Sequence, residues 1–202
     1  MADSEIPSSG APLEPGWLRL KSGLAQVVFY SGARVVIQGP TELQLISQNE
    51  ASCPSGQRIA EVPPQAQGFR VRAPQAGVTD LGTSFGLTVK GQRTEVHVFS
   101  GLVELRPASD GIRKELSEGS GAVLEGSQPL QPIVASQTLF APLFYLKSES
   151  VAADAERFER WKEASNELNQ DLTLLVHLDF EGNPVSDWRL RNAGYPSPNV
   201  PD

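Results

Sequence analysis

The sequence predicts an all-β protein of many short strands, arranged as a β-sandwich, a jelly roll or a β-helical coil, followed by one C-terminal amphipathic helix. Three observations carry that prediction. The 202 residues include 18 glycines and 16 prolines, a share that favours many turns over long helices. Short runs alternate in character: in Thr94–Phe99, Val96 and Val98 fall on one side and Glu95 and His97 on the other, as in a strand with a core face and a wet face. A helical period occurs once, where Val151, Ala155, Phe158, Trp161, Ser165 and Leu168 recur at steps of three or four and form one apolar stripe.

Taken in order, residues 1–16 are rich in Ser, Pro, Gly and acids and read as a flexible leader with little to bury. Trp17–Leu20 opens the ordered part. Ala25–Tyr30 and Ala33–Ile37 read as a strand pair about the short link Ser31-Gly32. Gly39-Pro40 predicts a turn. Thr41–Ser47 alternates as a half-buried strand does. Gln48–Gly56 is polar and reads as a loop, and Gln57–Val62 as a strand stopped by Pro63-Pro64. In Phe69–Ala73, Phe69 and Val71 point inward, and Arg70 and Arg72 outward.

The chain is organised around Val78–Val89 and its continuation Thr94–Leu105, two strand-like runs joined by a polar link, with a third run after Gly101. Gly82, Gly86, Gly91 and Gly101 punctuate these runs as bulges and corners do. Asp80 stands beside Gly82 and Thr83. Its short side chain suits a tight corner, accepting backbone N–H bonds as an Asx turn does. Asp80 and Thr83 are therefore read as a structural corner. Ile112–Leu116 and Gly121–Leu124 complete the β region.

Residues 127–149 hold Pro129, Pro132 and Pro142 among apolar residues such as Phe140, Leu143 and Phe144. The prolines argue against a long helix, so this stretch is expected to be a strap packed across the sandwich, ahead of the alternative, a partner-binding segment. Residues 150–169 form the expected helix, with Ser150 as N-cap and Glu156 and Arg160 paired four apart on its solvated face. Phe158 and Trp161 are expected to dock on the β domain. Leu172–Gly182 reads as one further strand, and 170–202 as the start of a second β module or a tail.

Composition narrows the function classes. A net charge of −7 and a pI near 4.9 argue against a nucleic-acid binder or docking on an anionic membrane surface. No run of about twenty apolar residues is present to span a bilayer, and no signal peptide is visible. Cys53 is the single cysteine, so no internal disulfide can form, and it has no Cys-His signature around it. His97 and His177 are far apart and read as strand-face residues rather than ligands. No HExxH, CxxC, GxSxG or P-loop pattern occurs. Gly82, Gly86 and Gly91 lack the strand-to-helix setting of a phosphate cradle. Asp80, Glu95 and Glu104 are scattered carboxylates. No catalytic, cofactor-binding or metal-ligating residue is assigned, and no cofactor.

Asp80-Leu81-Gly82-Thr83-Ser84-Phe85, followed by Glu95-Val96-His97-Val98-Phe99-Ser100-Gly101-Leu102-Val103-Glu104-Leu105, resembles the signature of the FecR domain. Gly23–Ala33, Ile37–Pro40 and Gly68–Pro74 fit the same domain upstream, and the likeness runs from about Trp17 to Leu124. The individual pieces are short and glycine-rich; their order and spacing give the likeness its specificity. The resemblance implies a two-layer jelly-roll-like β domain, here 17–126. It also implies a non-enzymatic, extracytoplasmic module of a membrane-anchored regulator that relays a surface signal, in the namesake an iron signal, to a sigma factor. The cytoplasmic anti-sigma region and membrane helix usual in such sensors are not in this sequence. The region after the helix resembles the entry to a laminin-G-like or concanavalin-like module. That opens a second class, a cell-envelope adhesion or carbohydrate-binding protein, with a glycan bound by the further module. Protein partners in the cell envelope are expected in the first class.

Overall fold

The structure, a computed structural model, describes residues 11–109 and 111–169. Most of the expected leader and the whole of the expected strand Leu172–Gly182, with His177, lie outside the described residues. The chain divides into two compact units, Met1–Ser148 and Glu149–Asp202.

Twelve strands are described: β1 Gly16–Leu20, β2 Leu24–Val28, β3 Arg34–Ser47, β4 Glu50–Glu61, β5 Arg70–Arg72, β6 Ala76–Asp80, β7 Ser84–Lys90, β8 Arg93–Ser100, β9 Leu102–Pro107, β10 Lys114–Ser117, β11 Ser120–Glu125 and β12 Gln131–Val134. Short 3-10 turns span Pro64–Ala66 and Thr138–Phe140, and helix α1 spans Ala141–Asn169. The protein is mostly β, as the turn-rich sequence predicts.

The strands join in one curled sheet with the order β10-β9-β6-β5-β4-β7-β8-β11-β12. From β4 a branch leads to β3, which carries β1 and β2. Every pairing is antiparallel except the three-residue parallel contact of β4 with β5. Curling brings residues from both ends of this path into one apolar core that includes Ile37, Leu43, Phe69, Leu87, Val98, Leu105 and Leu124. Such burial stabilises by roughly 1.5–3 kcal/mol for each large side chain. Phe69 and Val71 are buried and Arg70 and Arg72 exposed, the alternation read from the sequence.

Several elements differ from the expectation. Gly39-Pro40 does not end a strand. β3 continues through that cis peptide, with a register shift against β4 between Gln38 and Glu42. Gln48–Gly56 is not a loop either: a two-residue turn leads straight into β4. Its Ser, Pro and Gly content masks a period-two pattern in which Ala51 and Cys53 point inward, both fully buried.

The strap also resolves differently. Residues Gln131–Val134 form β12, antiparallel to β11, and α1 starts at Ala141, nine residues before the predicted start at Ser150. Pro142 is no obstacle, because a first-turn residue has no intrahelical partner for its N–H. Ser150 lies inside the helix. On the helix Glu159 pairs with Lys162 at 2.8 Å, and the expected Glu156–Arg160 pair does not form among the described residues. Phe158 and Trp161 are 50% and 44% exposed, stacked on one another at 5.7 Å between ring centres. Phe140, just before the helix, and Leu143, in its first turn, are both 0% exposed.

Candidate functional site

The corner between β6 and β7 encloses Asp80. Its Oδ2 accepts the Gly82 N–H at 2.7 Å, and its Oδ1 accepts the Thr83 hydroxyl. The residue is fully buried. Burial pushes its pKa up to about 6, although the bonds from Gly82 and Thr83 oppose the shift. Gly82 has φ +98°, a conformation that side chains with a Cβ resist. Three further bonds tie the corner down. Leu81 N–H donates to Leu102 O at 3.2 Å, Val62 N–H to Thr83 O at 2.9 Å, and Gln67 Nε2 to Leu81 O at 2.9 Å. A carboxylate with both oxygens occupied and no accessible surface joins strands; it does not meet a substrate.

The second feature is a trough on the outer face of the sheet. The alternation in Thr94–Phe99 predicted a wet face for Glu95 and His97. Glu95 is half-buried, but His97 is 1% exposed, because residues after β12 fold over it. His97 sits between Gly86 of β7 and Gly121 of β11 in register, so neither neighbouring strand raises a side chain beside it. Phe140 fills the space. A Cβ at Gly86 would stand 2.7 Å from the Phe140 ring. That ring meets His97 edge-on at 5.2 Å and Phe99 at 5.4 Å, and Phe144 meets Phe99 at 5.0 Å. Val36, Ile59, Phe99, Phe140 and Leu143 form this second apolar cluster. Polar ties close its rim: Gln57 Nε2 donates to Leu139 O at 3.0 Å, and Lys147 pairs with Glu61 at 3.0 Å.

Within the trough, His97 Nδ1 accepts the Ser136 backbone N–H at 3.2 Å. That bond fixes the neutral tautomer with its proton on Nε2. Nε2 is 3.6 Å from Glu95 Oε2, too long for a hydrogen bond. Burial lowers the His97 pKa, and the Glu95 carboxylate opposes this. Burial pushes Glu95 itself up, but the hydrogen bond and charge of Arg93, 2.7 Å away, outweigh that and hold it low.

The carboxylates singled out in the sequence serve separate partners: Asp80 the corner, Glu95 Arg93, and Glu104 Arg113 at 3.3 Å. Among the described residues no group of three or more His, Cys, Asp or Glu could hold a metal ion. Cys53 lies wholly inside the core. Burial pushes its thiol up, opposed by Arg58. Arg58 was not anticipated: it is 1% exposed, and its Nη2 donates to Ser55 O and to Thr41 Oγ1. No local signal marks it, since an arginine within a strand ordinarily faces water. Outside this core, an open groove of about 680 Å³ is lined by Arg19, Lys21, Thr41, Ser55 and Lys90 among others, and Arg19 there is already paired with Glu42 at 3.0 Å.

Residues 19–104 match the FecR protein family. The matched segment runs from β1 into β9 and contains the Asp80 corner and the floor of the trough. No curated protein matches the sequence. Two crystal structures of a candidate anti-sigma factor from Parabacteroides distasonis are similar in fold. They give TM-scores of 0.55 and 0.53 at 18% identity, over 62% of this chain and 63% and 62% of that chain. The match spans less than two thirds of the length of those proteins.

Proposed function

We propose that this chain is a non-enzymatic interaction module of a FecR-like, membrane-anchored regulator. It works on the extracytoplasmic side, relaying a signal to a sigma factor through protein contacts, and its curled sheet serves as the jelly-roll-like sandwich of that domain. The observation that carries this reading is the FecR match over 19–104, which coincides with strands β1 to β9 and with the satisfied corner at Asp80. Among the described residues no helix is long and apolar enough to cross a membrane, so an anchor would lie elsewhere.

The test is genetic. Residues 16–148 are deleted in frame from the chromosomal copy, and transcription from sigma-factor-dependent promoters is measured with and without inducing signal. Loss of signal dependence, as constant activity or constant silence, supports the reading. Unchanged induction contradicts it.

A further inference from the structure

We propose that His97 is a proton-operated latch: as the neutral imidazole it holds the segment from Ala135 to Leu146 in the outer trough, and as the imidazolium it lets that segment go. The geometry assigns the role. Nδ1 is the acceptor for the Ser136 N–H at 3.2 Å, and a protonated Nδ1 carries a hydrogen where that acceptor lone pair was. The Ser136 amide then loses its partner and faces a like-signed N–H. Phe140, edge-on to the same ring at 5.2 Å, stands four residues further along the released backbone.

The groups around the ring are few. β7 presents Gly86 and β11 presents Gly121, neither of which titrates. The covering segment presents the Ser136 amide and the Phe140 ring. Glu95, on the same strand, is the carboxylate that faces Nε2, and it is bridged by Arg93, which also reaches Glu125 of β11 at 3.2 Å. Glu95 favours the imidazolium; burial and the Ser136 bond favour the neutral ring.

Burial prevails in the direction of the pKa, which lies below the ordinary histidine value. The folded state thus binds fewer protons here than the unfolded chain. The latch is fully set above the unfolded value, about 6.5, and is lost as pH falls through the lower folded value. Release bares Val36, Ile59 and Phe99, which form an apolar patch on the sheet's outer face once Phe140 and Leu143 leave.

The experiment is an NMR titration of the full chain from about pH 7.5 to about pH 4. It follows the His97 ring carbons and the Ser136 amide protection factor, corrected for intrinsic exchange. The latch predicts that Ser136 protection falls about tenfold or more along the His97 titration curve. It also predicts that His97→Gln, whose amide oxygen can still accept but cannot titrate, has flat protection. Glu95→Gln should move the midpoint to lower pH. A His97 ring that stays neutral to about pH 4 overturns the proposal, as does Ser136 protection that persists while His97 titrates. If His97→Gln does not fold, the wild-type co-titration alone decides.

Discussion

The Asp80 corner and the Phe140 trough each bury one ionisable side chain, and Gly82 in the one and Gly86 in the other are needed for opposite physical reasons. In the corner, Gly82 is needed for its backbone: φ is +98°, and a Cβ there would meet nothing within 4 Å. In the trough, Gly86 is needed for its emptiness, because a Cβ would stand 2.7 Å from Phe140. The charges run in opposite senses as well. Asp80 is raised to about 6, so its contribution to stability is present below its ordinary carboxylate value and is lost as pH rises through about 6. His97 is lowered, so its contribution is present above the ordinary histidine value and is lost as pH falls. The corner is built from four consecutive residues, whereas the trough joins a strand to a segment far downstream. One is a joint of the sheet; the other is a cover laid over it.

The largest effect that would break this comparison is in the cover. Phe140→Ala removes a fully buried ring and should cost about 3–5 kcal/mol by chemical denaturation. A loss below about 1 kcal/mol would mean that the trough collapses without its cover.

The next is the sign of the carboxylate. Between about pH 4 and pH 7 the Asp80 term should remove up to about 3 kcal/mol of stability. Asp80→Asn, which keeps an acceptor for Gly82 and cannot ionise, should gain on wild type as pH rises through about 6. Melting temperatures of the two across that range give the answer, and parallel profiles would show that the buried carboxylate carries no such penalty. Gly82→Val should cost about 1 kcal/mol or more through backbone conformation alone, whatever the state of Phe140. An unchanged melting temperature would count against the corner.

The smallest effect is expected on the helix: Trp161→Ala should cost less than about 1 kcal/mol, since the ring is 44% exposed. A loss of several kcal/mol would place Trp161 in a core.

These two regions also show how far the sequence could be read. The corner was legible because Asp80, Gly82 and Thr83 carry both the acceptor and its donors within four positions. The inward and outward sides of Phe69–Arg72 were legible because strand geometry fixes alternation. The second face of β8 was not, since alternation defines two faces but does not say whether a distant segment covers one. Pro142 hid that segment by suggesting a break where the chain begins a helix, and the composition of Gln48–Gly56 hid the inward turn of Cys53. The apolar stripe through Phe158 and Trp161 has helical spacing, and the helix is there, but spacing alone does not say where the helix begins. Arg58 left no trace, because no pattern of neighbours announces a guanidinium turned into a core.

Phe140 is seated over Gly86, so that the sheet is completed by residues beyond the segment 19–104 that matches the FecR family. A double-mutant cycle of Gly86→Ala and Phe140→Ala, read by equilibrium unfolding, tests that contact. Alone, Gly86→Ala should cost about 1–3 kcal/mol by overpacking. In the Phe140→Ala background the added methyl loses one of the two rings it meets and keeps only Phe99, 2.8 Å away, so the two should couple by about 1 kcal/mol or more, the double variant being less destabilised than the sum. Additivity to within about 0.3–0.5 kcal/mol would contradict the contact and, with it, the cover over the sheet.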